Sequence, residues 1–168
     1  MTAIDFGTVF EKTPGANLVL SPELDIVAVS DDYLSATMTR RESIIDRRLF
    51  EVFPDNPADP TADGVRNLRA SLERVVVRAQ ADRMAIQRYD IPSPLGGPFQ
   101  KRYWSPINSP IVDPAGHLRY ILHHVDDVTA REQAKRRLRA VVEVSATHRP
   151  HVLAEEPRRE PLARQLPK

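Results

Sequence analysis

The stretch RYWSPINSPIVDPAGHLRYILHHVDDVT, residues 102–129, has the clearest pattern in the chain. Two runs rich in alternating apolar and polar side chains flank the turn sequence DPAGH, which is typical of a β-hairpin. Pro106 and Pro110 lie inside the first run. Because proline has no backbone N–H to donate, they predict an edge strand or a bulge. The second run ends at DVT, where the pattern changes from that of a strand to that of a helix.

The segments before this hairpin predict a second hairpin, a further strand and one long helix. ANLVLS at 16–21 and IVAVS at 26–30 flank a turn, and RMAIQRYDI at 83–91 predicts another strand. A helix is predicted over about 61–80, because apolar side chains recur there at the helical period. Strands and helices in this order fit an α+β fold, in which an antiparallel sheet has its helices grouped on one face.

Both ends of the chain differ from the central domain, which we place at residues 16–129. Apolar side chains spaced i, i+3, i+4 predict a capping helix within residues 1–15. Residues 130–145 predict a signalling or coiled-coil helix, because apolar and small side chains follow one another at spacings of 4, 3 and 4. Several prolines and few apolar residues predict a disordered tail over 146–168.

The composition excludes several kinds of protein. The 168 residues include no cysteine, which excludes disulfides, zinc–thiolate sites, iron–sulfur clusters and thiol nucleophiles. No run approaches the roughly 20 apolar residues of a membrane helix, and the N-terminus lacks the features of a secretory signal. We therefore expect a cytoplasmic protein without membrane contact. From Ala130 onward there are 10 Lys and Arg against 5 Asp and Glu. Five of the ten basic residues lie on the helix predicted over 130–145, and acidic residues are interleaved with the basic ones, so nucleic-acid binding is not expected.

Several motifs, in their order, resemble those of PAS domains, in particular a bacterial subgroup found in sensor histidine kinases. They are LVLSPELDIVAVSDDYLSAT, LFEVFPDNPADPTADGVRNLRASLERV, QRYDIP, RYWSPINSPIVD and YILHHVDDVT. The resemblance covers about residues 6–129. It implies a five-stranded antiparallel sheet that cups a small cavity under the long helix, followed by a C-terminal signalling helix. It also implies a non-catalytic sensory or adaptor module of bacterial signal transduction, often a homodimer.

The resemblance identifies candidates for the cavity wall, with strand alternation setting which side chains face inward. The candidates are Trp104, Asn108, His123, Asn67, Tyr33 and Val125. Ser71 lies one turn beyond Asn67 and offers a second polar group on that side of the helix. Two interpretations stay open. Either Trp104 stacks on a planar ligand that the polar side chains bind, or Trp104 fills the core and the polar side chains satisfy buried backbone groups.

The residues also limit which cofactors this cavity can take. A covalent flavin adduct is excluded, because the photosensors that form one need a cysteine. Haem sensors of this fold commonly use a histidine on or just before the long helix, and residues 50–80 have none, so haem is not expected. Flavin held without an adduct stays open. The small molecule, if there is one, is unknown, because PAS domains share a fold rather than a ligand.

Two further groups of residues are candidates for coupling and association. The signal junction consists of Asp127, Thr129 and Glu132, where TARE predicts a capping box between the Thr hydroxyl and the Glu side chain. Apolar side chains on the sheet's outer face and the terminal helices are candidates for a dimer seam: Phe6, Phe10, Tyr120, Leu122, Leu138 and Val141. The N-terminal helix is also a candidate to cover the outer face within one chain.

The sequence gives no support for metal binding, catalysis or a phosphoacceptor histidine. His123 and His124 are adjacent on a strand and therefore point to opposite faces, so we predict no metal site and no catalytic residues. His148 is not followed by the Glu-x-x-Thr-Pro pattern of a phosphoacceptor helix. We expect a sensory or adaptor module, with a histidine kinase or another signalling protein as its partner. The alternative is a detached input fragment of a histidine kinase-type system that has no ligand of its own.

Overall fold

The predicted hairpin forms the centre of the computed structural model, which describes residues 3–147. Strand β5, Tyr103–Val112, pairs antiparallel with strand β6, Leu118–Asp127. Asn108 lies directly opposite His123 in this register. Both side chains point to the inner face of the sheet and are buried. The register of β5 and β6 therefore places two polar side chains, Asn108 and His123, within the apolar core.

Four short strands complete the antiparallel sheet around this hairpin. They are β1 Ala16–Leu20, β2 Ile26–Val29, β3 Asp82–Arg83 and β4 Gln87–Arg88. The strand order is β2-β1-β6-β5-β3, and β4 pairs with β5 further along the same edge. Because β3 and β4 share one edge position, the sheet has five strand positions. The predicted five-stranded antiparallel sheet is confirmed.

The edge formed by β3 and β4 is interrupted beside the first proline of β5. Between its two pairing segments the edge chain has one residue more than β5, which is a bulge. The Met84 N–H donates to the Pro106 carbonyl across 3.1 Å. The N and O atoms of one residue point to the same side of an antiparallel strand, so the missing N–H of Pro106 faces this interruption. The continuous strand predicted over 83–91 is therefore wrong, whereas Pro106 lies beside a bulge, one of the two situations predicted for it.

Within residues 3–147, six α-helices and one 3₁₀ turn accompany the sheet. They are α1 Phe6–Glu11, α2 Asp31–Thr37, α3 Arg41–Ile44, α4 Leu49–Val52, α5 Gly64–Arg78, the 3₁₀ turn Pro94–Gly96 and α6 Thr129–Thr147. The long helix predicted over about 61–80 is confirmed as α5. Its buried side chains Leu68, Leu72 and Val75 belong to the same apolar core as the inner face of the sheet.

The opposite, outer face of the sheet is not covered by α1. No residue of α1 is buried, and Phe6 is 73% exposed. An ion pair between Lys12 and Asp31 instead connects the end of α1 to the start of α2, at 2.6 Å. The suggestion that the N-terminal helix covers the outer face within one chain is therefore wrong. On that face Ile111 and Tyr120 keep 41% and 39% of their surface exposed.

The chain divides into two compact units after Gln133. The first unit contains the sheet, helices α1 to α5 and the start of α6. The second contains the rest of α6, which is helical to Thr147 and has exposed apolar side chains such as Leu138 at 66%. Of the predicted tail, residues 148–168 lie outside the described residues. No helix within residues 3–147 has the length and apolarity needed to cross a membrane.

Gly64, the first residue of α5, has no room for a side chain. A Cβ atom there would lie 2.5 Å from Cδ2 of the Tyr89 ring. We expect Gly64→Ala to lower the free energy of unfolding by about 1–3 kcal/mol, because the Tyr89 ring would have to move out of its packed position. Urea denaturation measures this change. The control Gly7→Ala, in the exposed helix α1, should change stability by less than about 1 kcal/mol. Equal effects of the two variants would contradict the packing argument.

Candidate functional site

A cavity lies between the inner face of the sheet and the helices, and its wall is mainly apolar. The cavity and the open solvent at its mouth together amount to about 500 Å³. Its lining residues are Tyr33, Thr37, Leu49, Phe53, Leu68, Met84, Gln87, Tyr89, Ile91, Trp104, Pro106, His123 and Val125. None of these carries a charged side chain other than the titratable His123. The cavity therefore suits an apolar ligand or part of one.

Four of the six predicted wall residues line this cavity, namely Tyr33, Trp104, His123 and Val125. Asn108 does not line it. This side chain lies behind His123 and is fully buried. Asn67 is also outside the wall, where its amide donates to Gln87 Oε1 at 2.9 Å. Asn67 is thus connected to the cavity only through this hydrogen bond to Gln87, whose side chain lines the cavity.

Trp104 fills part of the wall and uses its polar atom internally. The indole Nε1–H donates to the Tyr89 carbonyl at 2.9 Å, and the residue is only 5% exposed. The Tyr89 hydroxyl in turn donates to the Phe53 carbonyl. Both bonds join a side chain of the cavity wall to the backbone of another wall residue. The indole N–H of Trp104 is therefore already used, and Trp104 can offer a ligand only the surface of its ring.

His123 lies at the inner end of a chain of hydrogen bonds that reaches the surface. Its Nδ1 atom is 2.6 Å from Asn108 Oδ1, and Asn108 Nδ2 donates to Ser71 Oγ at 2.7 Å. The Ser71 hydroxyl donates to the carboxylate of Asp82. Arg74 lies 2.8 Å from that carboxylate. Helical spacing from Asn67 indicates Ser71 as a polar residue near the cavity. No sequence signal indicates Asp82 as part of this chain of hydrogen bonds, because Asp82 is distant from His123 in the sequence.

Burial governs the protonation of His123. The residue is 3% exposed, and its ring meets that of Tyr33 edge-on, with 6.1 Å between ring centroids. Loss of hydration, with a smaller contribution from the charge of His124, lowers the pKa of His123 to about 4. Burial likewise raises the pKa of the Tyr33 hydroxyl well above its ordinary value. Both groups are therefore neutral inside the cavity at neutral pH.

The two adjacent histidines point to opposite faces, as strand alternation predicts. His124 lies on the outer face, where its Nδ1 atom is 2.9 Å from Asn17 Oδ1. The pair cannot converge on one ion. Within residues 3–147 no group of three or more His, Asp or Glu side chains is placed to hold a metal.

The signal junction is built differently from the predicted capping box. The Thr129 hydroxyl accepts from the backbone N–H of Tyr103 in β5 at 2.9 Å, and among the described residues no N–H of α6 donates to it. Asp127 Oδ1 accepts from the Thr129 N–H at 2.9 Å. The Glu132 N–H donates to the Val128 carbonyl, and no hydrogen bond from the Glu132 side chain is found among the described residues. The capping box is wrong, and the junction instead joins the start of α6 to β5, directly beside Trp104.

The predicted seam residues are at least partly exposed. Phe10 and Leu122 are half-buried and Tyr120 is 39% exposed in the first unit. Leu138 and Val141 are 66% and 63% exposed on α6 in the second unit. These side chains, with the exposed Phe6, supply apolar surface in each unit that a partner chain can contact.

The family of the chain follows from comparison with known proteins. The model of the PAS fold family matches residues 10–133, which covers the sheet, the cavity and the junction. The chain belongs to the PAS family. PAS domains are typically sensory, non-catalytic modules, and this membership supports a generic sensory module.

Solved structures agree with this PAS assignment at the level of the fold. An RNA-binding Light-Oxygen-Voltage receptor aligns with a TM-score of 0.59 at 16% identity, over 87% of this chain and 38% of the receptor. The PAS domain of Bordetella pertussis BvgS aligns with a TM-score of 0.56 at 19% identity, over 83% and 95% of the two chains.

A third structure extends the likeness to a PAS domain with a bound small molecule. The PAS-B domain of Drosophila melanogaster Cycle, with bound ethylene glycol, aligns with a TM-score of 0.52 at 12% identity. That alignment covers 67% of this PAS chain and 98% of the other. None of the curated proteins compared with the chain matches it.

The neutral state of His123 makes stability depend on pH. The unfolded chain takes up a proton near the ordinary histidine pKa of 6.5, whereas the folded chain does so only near 4. Stability contributed by this residue is therefore lost as pH falls from about 6.5 to about 4. Between pH 7 and pH 5 we expect a loss of about 2 kcal/mol from His123. Urea denaturation at the two pH values measures it.

Two variants separate this effect from other titrations. His123→Gln should remove most of the pH dependence between pH 7 and pH 5. His117→Gln, at a side chain that is 79% exposed, should leave it unchanged. A wild-type slope retained in His123→Gln would show that another group is responsible.

The Thr129 hydroxyl should be needed to hold the junction together. We expect Thr129→Ala to destabilise the protein by about 1–3 kcal/mol, because the buried N–H of Tyr103 loses its acceptor. Thr129→Ser keeps the oxygen atom and should cost less than about half of that. Urea denaturation gives the free energies, and hydrogen exchange at the Tyr103 amide reports the local bond. If Thr129→Ser were as destabilising as Thr129→Ala, the methyl group would be the important part.

Proposed function

We propose that this PAS domain is a sensory module that binds a small molecule in the cavity between Tyr33 and His123. One observation carries the proposal. The Tyr33 hydroxyl and His123 Nε2 have no hydrogen-bond partner among the described residues, although both residues are at least 95% buried and line the cavity. Neither atom is fully enclosed by protein, so a molecule in the cavity can reach both, and polar groups of such buried residues nearly always have a partner. A ligand that supplies one explains these two atoms better than a core in which they serve only to fill space.

The position of the cavity supports a route for the signal. Trp104 lines the cavity, and the next residue back along β5, Tyr103, bonds to Thr129 at the start of α6. The Val128 N–H also donates to the Tyr103 carbonyl, at 2.9 Å. A ligand that displaces Trp104 would move β5, and the two bonds at Tyr103 would pass that movement to the first turn of α6. The junction residues Asp127 and Thr129 act in this proposal as mechanical links.

We further propose that the module acts as a homodimer and signals to a histidine kinase or another signalling protein. The exposed apolar side chains on the sheet's outer face, on α1 and on α6 support this proposal, because such side chains gain most from burial against a partner. The alternative, a detached input fragment of a histidine kinase-type system, would use the same surfaces without a ligand. These two functions differ in whether the cavity is occupied, which an experiment can decide.

Native mass spectrometry of the purified full chain, with its visible absorption spectrum, tests the ligand and the dimer together. We expect a dimer at tens of micromolar, and a retained mass or a chromophore band when the ligand is bound tightly. Addition of a metabolite extract should raise the melting temperature of the wild type but not of His123→Phe, because that variant loses the acceptor. A protein that retains no ligand and gains no stability from the extract would support the ligand-free alternative.

Leu138 tests the role of α6 in the dimer. We expect Leu138→Glu to weaken dimerisation at least about tenfold, because a charged side chain would have to be buried in the seam. Ala140→Glu adds the same charge two residues away, on the opposite side of the helix, and should leave dimerisation nearly unchanged. Sedimentation equilibrium gives the dissociation constants. Equal weakening by the two variants would mean that net charge, rather than this seam, controls association.

A further inference from the structure

The hydrogen bonds behind His123 fix which of its nitrogen atoms carries the proton, beginning at the surface. Arg74 binds Asp82 through Nε at 3.1 Å and through the second guanidinium nitrogen at 2.8 Å. These contacts, followed by the bond from Ser71, hold the pKa of the Asp82 carboxyl below its ordinary value. The carboxylate is therefore ionised and can only accept. Because Ser71 shares a hydrogen bond with it, the Ser71 hydroxyl must donate its proton to Asp82.

The orientation of the Asn108 amide follows from the state of Ser71. With its proton directed to Asp82, Ser71 Oγ must accept in its other bond. The atom 2.7 Å from it is therefore the Nδ2 amide of Asn108, which also approaches Met84 Sδ at 3.7 Å. The Asn108 oxygen is consequently turned toward His123. An amide oxygen cannot donate, so the hydrogen on the His123 side must come from the imidazole.

The proton of His123 is thus located on Nδ1, 2.6 Å from Asn108 Oδ1. A neutral imidazole has a single ring N–H, so Nε2 carries a lone pair and is an acceptor only. No described protein group donates to it, and the ring lines the cavity. Every link in the chain donates in the same direction, from the cavity toward Asp82. Nε2 is therefore a fixed acceptor at the cavity.

We propose that the cavity selects neutral, flat, mainly apolar molecules that donate a hydrogen bond from an aromatic N–H or O–H group to His123 Nε2. The inference rests on the proposed function and narrows it to a ligand class, that of indoles, azoles and phenols. The rings of Phe53 and Trp104 and the side chains of Leu68 and Val125 provide the apolar wall. The Tyr33 hydroxyl is available to a second polar group of the ligand.

The same wall excludes anions. Among the residues that the structure describes, no Lys or Arg lines the cavity, and the lone pair of Nε2 would face the negative charge. A carboxylate would lose its hydration without gaining an opposite charge, which is costly in an apolar site. At His123 Nε2 the selection is therefore for donors and against acceptors or anions of the same size.

Indole and benzofuran test this selection, because they have nearly the same shape and differ in having an N–H donor or an oxygen acceptor in the ring. Titration of the full chain, followed by NMR, gives both dissociation constants, with benzoate as the anionic probe. We expect indole to bind at least about tenfold more tightly than benzofuran, and benzoate not to bind. Long-range ¹H–¹⁵N spectra of His123 should show a protonated Nδ1 and an unprotonated Nε2, whose resonance shifts with indole only.

Three variants locate the effect in the hydrogen-bond chain. Ser71→Ala frees the Asn108 amide to turn over, so both imidazole tautomers should appear and the preference for indole should fall several-fold. His123→Phe keeps an aromatic ring but has no acceptor, and should reduce the preference to about one. Ser109→Ala, on the outer side of the same strand, should leave the preference at its wild-type value.

The outcomes separate the failure of this inference from that of the proposed function. Benzofuran binding as tightly as indole, or a His123 proton found on Nε2, would overturn the donor selection while leaving a ligand-binding cavity in place. Binding of benzoate would overturn the exclusion of anions in the same way. If neither indole nor benzofuran binds at millimolar concentration, the small-molecule site itself is overturned, and the donor selection with it.

Discussion

The pairing of β5 with β6 is the constraint on which the rest of the PAS domain depends. Its register sets Asn108 opposite His123 and Trp104 opposite Asp127. The first pair places an acceptor nitrogen at the cavity, and the second puts a cavity wall residue beside the junction with α6. A slip of one residue would turn these side chains to the other face of the sheet. Cavity and junction therefore share one ladder of backbone hydrogen bonds and cannot be altered independently.

Much of this arrangement was predictable because it depends on local patterns. Strand alternation separated His123 from His124, and helical periodicity located α5. Two predictions were wrong because a distant group competed with the local pattern. The Thr129 hydroxyl bonds to β5 instead of capping α6. The strand predicted over 83–91 is interrupted by a bulge beside Pro106, whose missing N–H leaves that strand without a donor at this point. The link from Asn108 to Asp82 could not be predicted either, because only the folded chain brings α5, β3 and β5 together.

The polar chain through the sheet also explains how a histidine is tolerated in this interior. Each buried atom from Ser71 to His123 Nδ1 has a partner, so the cost of removing these groups from water is largely offset. The exception lies at the cavity end, where Nε2 and the Tyr33 hydroxyl have none among the described residues. A ligand that bonds to these two atoms would therefore gain most of its polar binding free energy at this one place in the cavity. In the proposed function, selectivity comes from the Nε2 acceptor, and the apolar wall supplies affinity with little discrimination.

The interruption of the outer strand has a consequence for how these molecules meet one another. An exposed, continuous strand edge is a template on which a second chain can extend the sheet, and long assemblies can grow from it. Here that edge consists of two-residue segments separated by a bulge, and the other edge strand, β2, has only four residues. Neither edge offers a long row of free backbone groups. Growth by strand addition is thus disfavoured at both edges.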